Sequence, residues 1–440
     1  MDRPRANLLI AAIVSLGLIA LAGCGSVGIS STSPGAFAGK TAGASATVTA
    51  AAPTASTGPT AAVTSPTASP RPKASKVVVT PGPKMASGRW LYTATKLADG
   101  RILLTGGYTL AEEERACKHY VGSACAVPTT ATAEIYDPRT KSFATTGSMT
   151  RPRILHQAVL LRDGRVLVIG GRDDPTTAEI YDPATGHFSD LGDLHQTLFD
   201  GPLVQSDQTL TVLADGRVLI AGGQDQYGYS SNAVTVFDPT TNAFSNLRGM
   251  PVKWKDASAS LLRDGRVLFT GGLDTTTNQP TDEALLFDPA TNTFTITGTA
   301  PIPRDFGSQA VLRDGRVLIV GGYLHPLNPD CGSTIPAEVY DPATGWFSLA
   351  GGTSPRWDAT PVLIPDGRVL LLGGNVLGGN ADICSGYLGG VEAFDPESGT
   401  VSVLASGVLP NTTVTSAFVL DDGSILLFTY QADDYILTLK

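Results

Sequence analysis

Charge, histidine, cysteine and methionine are all scarce in this 440-residue chain. Only 16% of its residues are charged, and acidic side chains outnumber basic ones by 40 to 31, for a net charge of −9. No basic run occurs beyond residue 76, and a nucleic-acid footprint requires one, so nucleic acid is excluded as a partner. The five histidines, His119, His156, His187, His195 and His325, include no His-x-His pair. No nucleophile motif stands out, so catalysis has little support, and neither a metal nor another cofactor is expected. The apolar stretch Leu8–Ala20 is too short for a strong membrane span. Glycine and proline, in contrast, are plentiful at 49 and 30, as suits a turn-rich all-β protein.

What is present is a repeat. A hydrophobic stretch, Asp-Gly-Arg, a second hydrophobic stretch and Gly-Gly are followed, after a variable gap, by an aromatic residue with Asp-Pro. The Asp-Gly pairs begin at Asp99, Asp163, Asp215, Asp264, Asp314 and Asp366, with a looser copy at Asp422. A recurrence of about 50 residues indicates a blade-by-blade array. In the copy Ile154–Leu191, Ile154–Leu161 reads as a strand, and Asp163-Gly164 as a type I′ hairpin turn. Arg165–Ile169 is the return strand and Ala178–Tyr181 a third. Asp182-Pro183 opens a turn into a short fourth strand, His187–Leu191. Each copy is therefore a four-stranded antiparallel meander that must stack on its neighbours. First strands carry small residues (Ala158, Ala259, Ser308, Ala359, Ala417), as expected of strands crowded around an axis.

The pattern resembles the kelch β-propeller family over roughly residues 76–440. It does so through Gly-Gly, Tyr/Phe-Asp-Pro and the later aromatics Phe143, Phe188, Phe244, Phe294 and Phe347. Two positions depart: Phe428-Thr429-Tyr430 replaces Gly-Gly in the seventh copy, and Val401 replaces Phe in the sixth. The expectation is an all-β, seven-bladed kelch-type propeller of four-stranded antiparallel blades. Only two strands fit after Asp422-Gly423, so Lys76–Thr80 should supply the missing outer strand and close the ring, leaving no free edge. Some kelch relatives are copper radical oxidases, which need two His and a cross-linked Tyr–Cys. The cysteines here pair better with each other. The Asp-box of sialidases is absent.

Residues 1–24 read as a signal peptide: Arg3 and Arg5, the apolar stretch, then Leu21-Ala22-Gly23-Cys24. That ending resembles a bacterial lipobox, which implies cleavage before Cys24, its lipidation, and a lipid anchor in the cell membrane or outer membrane facing away from the cytoplasm. Residues 25–75 are rich in Ser, Thr, Ala and Pro, nearly uncharged and without periodicity, and read as a disordered tether. The four other cysteines suit an oxidising compartment. They fall between second and third strands of their blades, predicting Cys117–Cys125 within one loop and Cys331–Cys384 between adjacent blades. Seven residues between Cys117 and Cys125 are too many for a zinc knuckle.

This topology puts the Asp-Gly and Asp-Pro turns on one face. The long, varied second-to-third loops and the blade-to-blade connections lie on the other, where binding is expected. The connections carry Arg151-Pro152-Arg153, Trp254-Lys255-Asp256, Arg304-Asp305-Phe306 and Arg356-Trp357-Asp358 near the mouth of the central channel. Arg offers a fork for carboxylates or sugar hydroxyls, Trp a stacking face, Asp an acceptor. Arg153, Trp254, Asp256, Arg304, Asp305, Arg356, Trp357 and Asp358 are thus candidates for binding a glycan or protein ligand. A bracing role for the arginines and packing of the Trp between blades stand as the alternative. The acidic members could also serve acid/base chemistry in a carbohydrate-active enzyme such as an epimerase or hydrolase.

Overall fold

A computed structural model describes residues 76–109, 128–172, 176–193, 203–225, 229–324, 334–376, 386–387, 389–409, 413–429 and 434–440. Among the described residues, seven four-stranded antiparallel sheets form the blades of a β-propeller, and no helix occurs. The inner strands are Thr93–Lys96, Gln157–Leu160, Leu203–Val212, Ser258–Leu261, Asp305–Val311, Thr360–Leu363 and Val414–Val419.

The second strands are apolar without alternation: Ile102–Thr105, Val166–Ile169, Val267–Thr270 and Val369–Leu372 are buried at every residue. Each blade is covered on both faces by its neighbours, so no face is left for polar residues. Ile102 and Leu104 pack with Leu426 and Phe428 of blade 7, while Leu103 packs with Val166 and Val168 of blade 2. The core is therefore a set of layers between blades. In blades 1–5 an aromatic pair spans the third and fourth strands, such as Tyr181–Phe188 with ring centres 4.7 Å apart.

The Asp-Gly turns differ from the expected type I′ form. Gly100 N–H donates to Leu97 O at 3.1 Å and Leu97 N–H to Arg101 O at 2.8 Å. Of the loop residues 98–100, only Gly100 has a positive φ, 88°. This is a three-residue loop closed by a left-handed glycine. The cause is the next residue. Asp99 Oδ1 accepts the Arg101 backbone N–H at 3.0 Å and Oδ2 accepts its Nε–H at 2.7 Å, an Asx-type contact that sets the turn without two positive φ values. The arginines then reach forward. Arg165, Arg217 and Arg316 donate to Pro239 O, Pro289 O and Pro396 O at 2.5, 3.1 and 2.9 Å, in the Asp-Pro turn of the next blade.

The Gly-Gly pairs are seams. Gly107, Gly223, Gly272 and Gly322 donate N–H to the carbonyls of Arg153, Trp254, Arg304 and Arg356 at 2.8–3.0 Å. A Cβ on Gly321 would stand 2.7 Å from Arg356 O, so nothing larger fits. The expected strand Ile154–Leu161 is shorter, Gln157–Leu160. Its first residues are spent on this seam, and Leu155 is left-handed at φ 53°. Polar residues at the head of the inner strands form a belt across the blades. Thr93, Gln157, Ser308 and Thr360 donate to His156 O, Gln208 O, Ala359 O and Val414 O at 2.6–2.8 Å, and Ser258 to Gly307 O.

The ring closes with an N-terminal strand. Val77–Pro81 pairs antiparallel with Tyr435–Leu439, register Val79 to Leu437, as the outer strand of blade 7. Lys96 Nζ to Val419 O at 2.9 Å and Tyr92 OH to Thr429 O at 3.2 Å stitch blade 1 to blade 7.

Candidate functional site

The three candidate arginines stand at the heads of the inner strands, and their guanidinium groups turn into the blades. Arg153 is fully buried. It donates to Glu179 (3.0 and 3.1 Å), Gly170 O (2.8 Å), Thr177 O (3.1 Å) and Thr177 Oγ1 (2.7 Å). Arg304 pairs with Glu338 at 2.9 Å and Arg356 with Glu392 at 2.7 Å, all four side chains at most 4% exposed. Arg89 repeats this in blade 1 with Glu134 at 2.6 Å. In all four the side chain clamps its own Gly-Gly carbonyl and third strand, and Arg153, Arg304 and Arg356 also staple two blades, since their backbone carbonyls take the preceding blade's glycine N–H. The four glutamates were not singled out in the sequence. Their signal was available, because Arg89, Arg153, Arg304 and Arg356 occur in blades whose third strand carries Glu two residues before the Tyr/Phe. Blade 4 has Leu285 there and Trp254 in place of Arg. Trp254 is buried at 2% exposure among Leu219, Val236, Met250 and Phe269, as a layer residue between blades 3 and 4.

Two residues after each of the four arginines, and after Trp254 in blade 4, the chain turns left-handed. Leu91, Leu155, Asp256, Phe306 and Asp358 all have φ of 50–58°. Such a conformation costs a bulky residue of order 1–3 kcal/mol, and it recurs here because the strand must swing from the seam to the axis. Phe306 N–H donates to Asp256 O at 3.2 Å and Asp358 N–H to Phe306 O at 3.4 Å. Asp256, Phe306 and Asp358 therefore lie side by side at the channel mouth on blades 4–6, each half-buried. The Trp357 ring sits 5.6 Å from Phe306, and its buried Nε1–H has no partner among the described residues. On blades 1 and 2 the corresponding residues are Leu91 and Leu155, so the mouth is acidic and aromatic on one side and aliphatic on the other.

Asp305, next to Phe306, is 5% exposed, and its Oδ1 has no hydrogen-bond partner among the described residues. Burial pushes its carboxyl up to about 7 against the opposing pull of the Lys255 charge. His156 is buried with Nε2 2.7 Å from Thr105 Oγ1. Burial and then the Arg153 charge lower its pKa to about 3, keeping the ring neutral. His187 Nδ1 lies 2.8 Å from Thr185 O on the opposite face. Among the described residues no three His, Cys, Asp or Glu side chains converge on a point that could hold a metal ion. Cys24, Cys117, Cys125, Cys331 and Cys384, His119, His195 and His325, and much of the long loops lie outside the described residues. The loop Leu273–Asp282 is described. With Pro251–Trp254 and Glu283 it lines a cleft of about 450 Å³ whose charged groups include Lys253, Asp274 and Glu283.

No family model matches the chain, and no curated protein matches its sequence. The fold matches a solved structure described as a novel fungal alcohol oxidase with catalytic diversity among the AA5 family, in complex with copper. That likeness has a TM-score of 0.52 at 20% identity, covering 77% of this chain and 69% of the other. Identity at that level carries the fold and not the chemistry. The chain is a seven-bladed β-propeller whose blades are stapled by buried Arg–Glu pairs.

Proposed function

We propose that the protein is a lipid-anchored, extracytoplasmic binding protein that recognises a glycan at the channel mouth, on blades 4–6. The observation that carries this reading is the row Asp256–Phe306–Asp358 backed by Trp357. An aromatic face flanked by two carboxylates suits a pyranose ring, whose apolar face stacks while its hydroxyls donate to the carboxylates. The buried Arg304 and Arg356 contribute by anchoring the strand heads that carry Phe306 and Asp358, and the buried Trp254 does so for Asp256. Residues 1–24, Cys24 and the tether 25–75 support export and anchoring, which would present the long-loop face to polymers outside the cell.

The test is binding of the full-length protein to soluble and cell-wall polysaccharides, beside Phe306→Ala and Asp256→Asn/Asp358→Asn variants of equal melting temperature. Loss of about tenfold or more in affinity is expected for each. Binding that survives both substitutions would refute the site. A second reading, catalysis on the bound glycan, is favoured by Asp305, a carboxyl poised near neutral pH beside the row. It expects Asp305→Asn to abolish turnover while affinity is kept, and turnover by that variant would dismiss it.

A further inference from the structure

Six of the seven Asp-Gly turns continue with arginine; the seventh continues with Ser424. In the six, Nε of the arginine donates to Oδ2 of the turn aspartate at 2.7–2.9 Å. In blade 7, Ser424 N–H and Oγ both donate to Asp422 Oδ1, and Oδ2 accepts nothing among the described residues. The guanidinium that in blades 2, 3 and 5 bridges to the next blade's Asp-Pro turn is missing opposite Pro138.

A second group is missing at the same seam. Tyr181 OH lies 2.8 Å from Thr146 Oγ1 and Tyr340 OH 2.7 Å from Thr297 Oγ1, threonines of the preceding blade three residues beyond the outer-strand aromatics Phe143 and Phe294. Tyr136 should meet the corresponding residue of blade 7. Val79 faces Leu437 as Phe143 faces Tyr136, so that residue is Gly82, which has no side chain. The Tyr136 hydroxyl has no hydrogen bond among the described residues. Both positions, Ser424 and Gly82, line a cleft of about 750 Å³ between blades 7 and 1, together with Tyr136, Pro138, Asp422 and Leu420.

The charges around it have been met differently. Lys96, Arg139, Lys141, Asp99 and Asp421 also border the cleft. Lys96 is taken by Val419 O, Arg139 by Asp137 and Asp99 by Arg101; Lys141 acts on Asp422 through its charge. Burial and then Asp434, Asp137 and Asp422 raise the Tyr136 hydroxyl above its ordinary value. Tyr181 and Tyr340, by contrast, feel the cations Arg101 and Arg266 from the preceding blade's turn.

We propose that this cleft is a binding site for the guanidinium group of an arginine brought by a ligand, which takes the place of the side chain that Ser424 omits. The group docks on Asp422 Oδ2 and the Pro138 carbonyl beside the Tyr136 hydroxyl, repeating the geometry of Arg165, Arg217 and Arg316. The site is on the short-turn face and is independent of the channel mouth.

The experiment titrates full-length protein with N-acetyl-L-arginine methylamide, its citrulline counterpart and free L-arginine. Saturable binding is expected for the arginine amide and binding about tenfold weaker for the uncharged citrulline amide. L-arginine as tight as the amide would assign a free guanidinium compound, and weaker L-arginine a residue within a polypeptide. Ser424→Arg should fill the cleft from within, abolish binding and raise the melting temperature. Tyr136→Phe should weaken binding without unfolding, and Trp357→Ala should leave it unchanged. Equal binding of citrulline, no saturable binding at millimolar concentrations, or a Ser424→Arg variant that binds normally overturns the proposal.

Discussion

The staple of blade 5 can be tested quantitatively. Arg304→Ala removes donations to Gly321 O at 2.5 Å and Pro336 O at 3.3 Å and the ion pair to Glu338 at 2.9 Å. Both side chains are at most 2% exposed. Burial pushes the Glu338 carboxyl up and the Arg304 guanidinium down from their ordinary values, so each charge is tolerated because of the other. Breaking such a pair from one side leaves an uncompensated buried charge, at a cost of about 3–5 kcal/mol. At about 2 °C per kcal/mol for a large domain, the melting temperature should fall by roughly 6–10 °C. The molecule also supplies the rescue. Blade 4 holds Trp254 and Leu285 where blade 5 holds Arg304 and Glu338, and both are buried. The double variant Arg304→Trp/Glu338→Leu should therefore recover most of the loss, since an apolar replacement of a buried pair is often close to neutral. Thermal melts and urea denaturation of native, single and double variants measure this. A single variant within about 1 kcal/mol of native, or a double variant no better than the single, refutes the staple.

Removing Lys76–Thr80 strips the outer strand from blade 7 and exposes Leu437, which is fully buried in the native ring; a sharply lower melting temperature is expected, and an unchanged melt would refute closure by this strand. Gly321→Ala should cost more than 3 kcal/mol, about the upper end for a backbone clash at positive φ, whereas Gly100→Ala, with nothing within 4 Å of its Cβ, should cost only about 1 kcal/mol; urea midpoints for the pair check the contrast. Trp254→Ala should destabilise by about 3–5 kcal/mol while polysaccharide binding by the folded fraction stays unchanged, which separates it from Phe306. Asp305 gives a pH dependence. Its folded carboxyl titrates at about 7 against an ordinary 3.8, so the folded state holds a proton that the unfolded state has lost. That contribution is complete below pH 3.8 and is lost as pH rises through 7, with an upper limit on the order of 4 kcal/mol. In Asp305→Asn the melting temperature should lose this decline between pH 4 and 7, and a decline unchanged in the variant would assign it elsewhere.

The architecture was legible along the chain because its signals are local. Asp-Gly-Arg, Gly-Gly and Tyr/Phe-Asp-Pro each mark a turn or strand end by residues adjacent in the chain, so their period counts blades and shows that one strand, expected at Lys76–Thr80 and found at Val77–Pro81, must come from the other end. What the dipeptide Asp-Gly could not tell was the turn type. The deciding contact is a side-chain bond from Asp99 to Arg101, which the hairpin rule for the dipeptide does not include. The site was legible only in part, because the roles of its residues depend on distant partners. Whether Arg153 points to a ligand or into a blade is decided by Glu179, twenty-six residues on. Trp254 is buried because the layer between blades 3 and 4 closes over it. Tertiary structure alone placed Asp256, Phe306 and Asp358 in a row, since the row is made by backbone bonds between successive blades. It also turned one serine and one glycine, 342 residues apart in sequence, into a single cleft. Local chemistry thus determined the blade, and the meeting of blades decided what each conspicuous side chain is for.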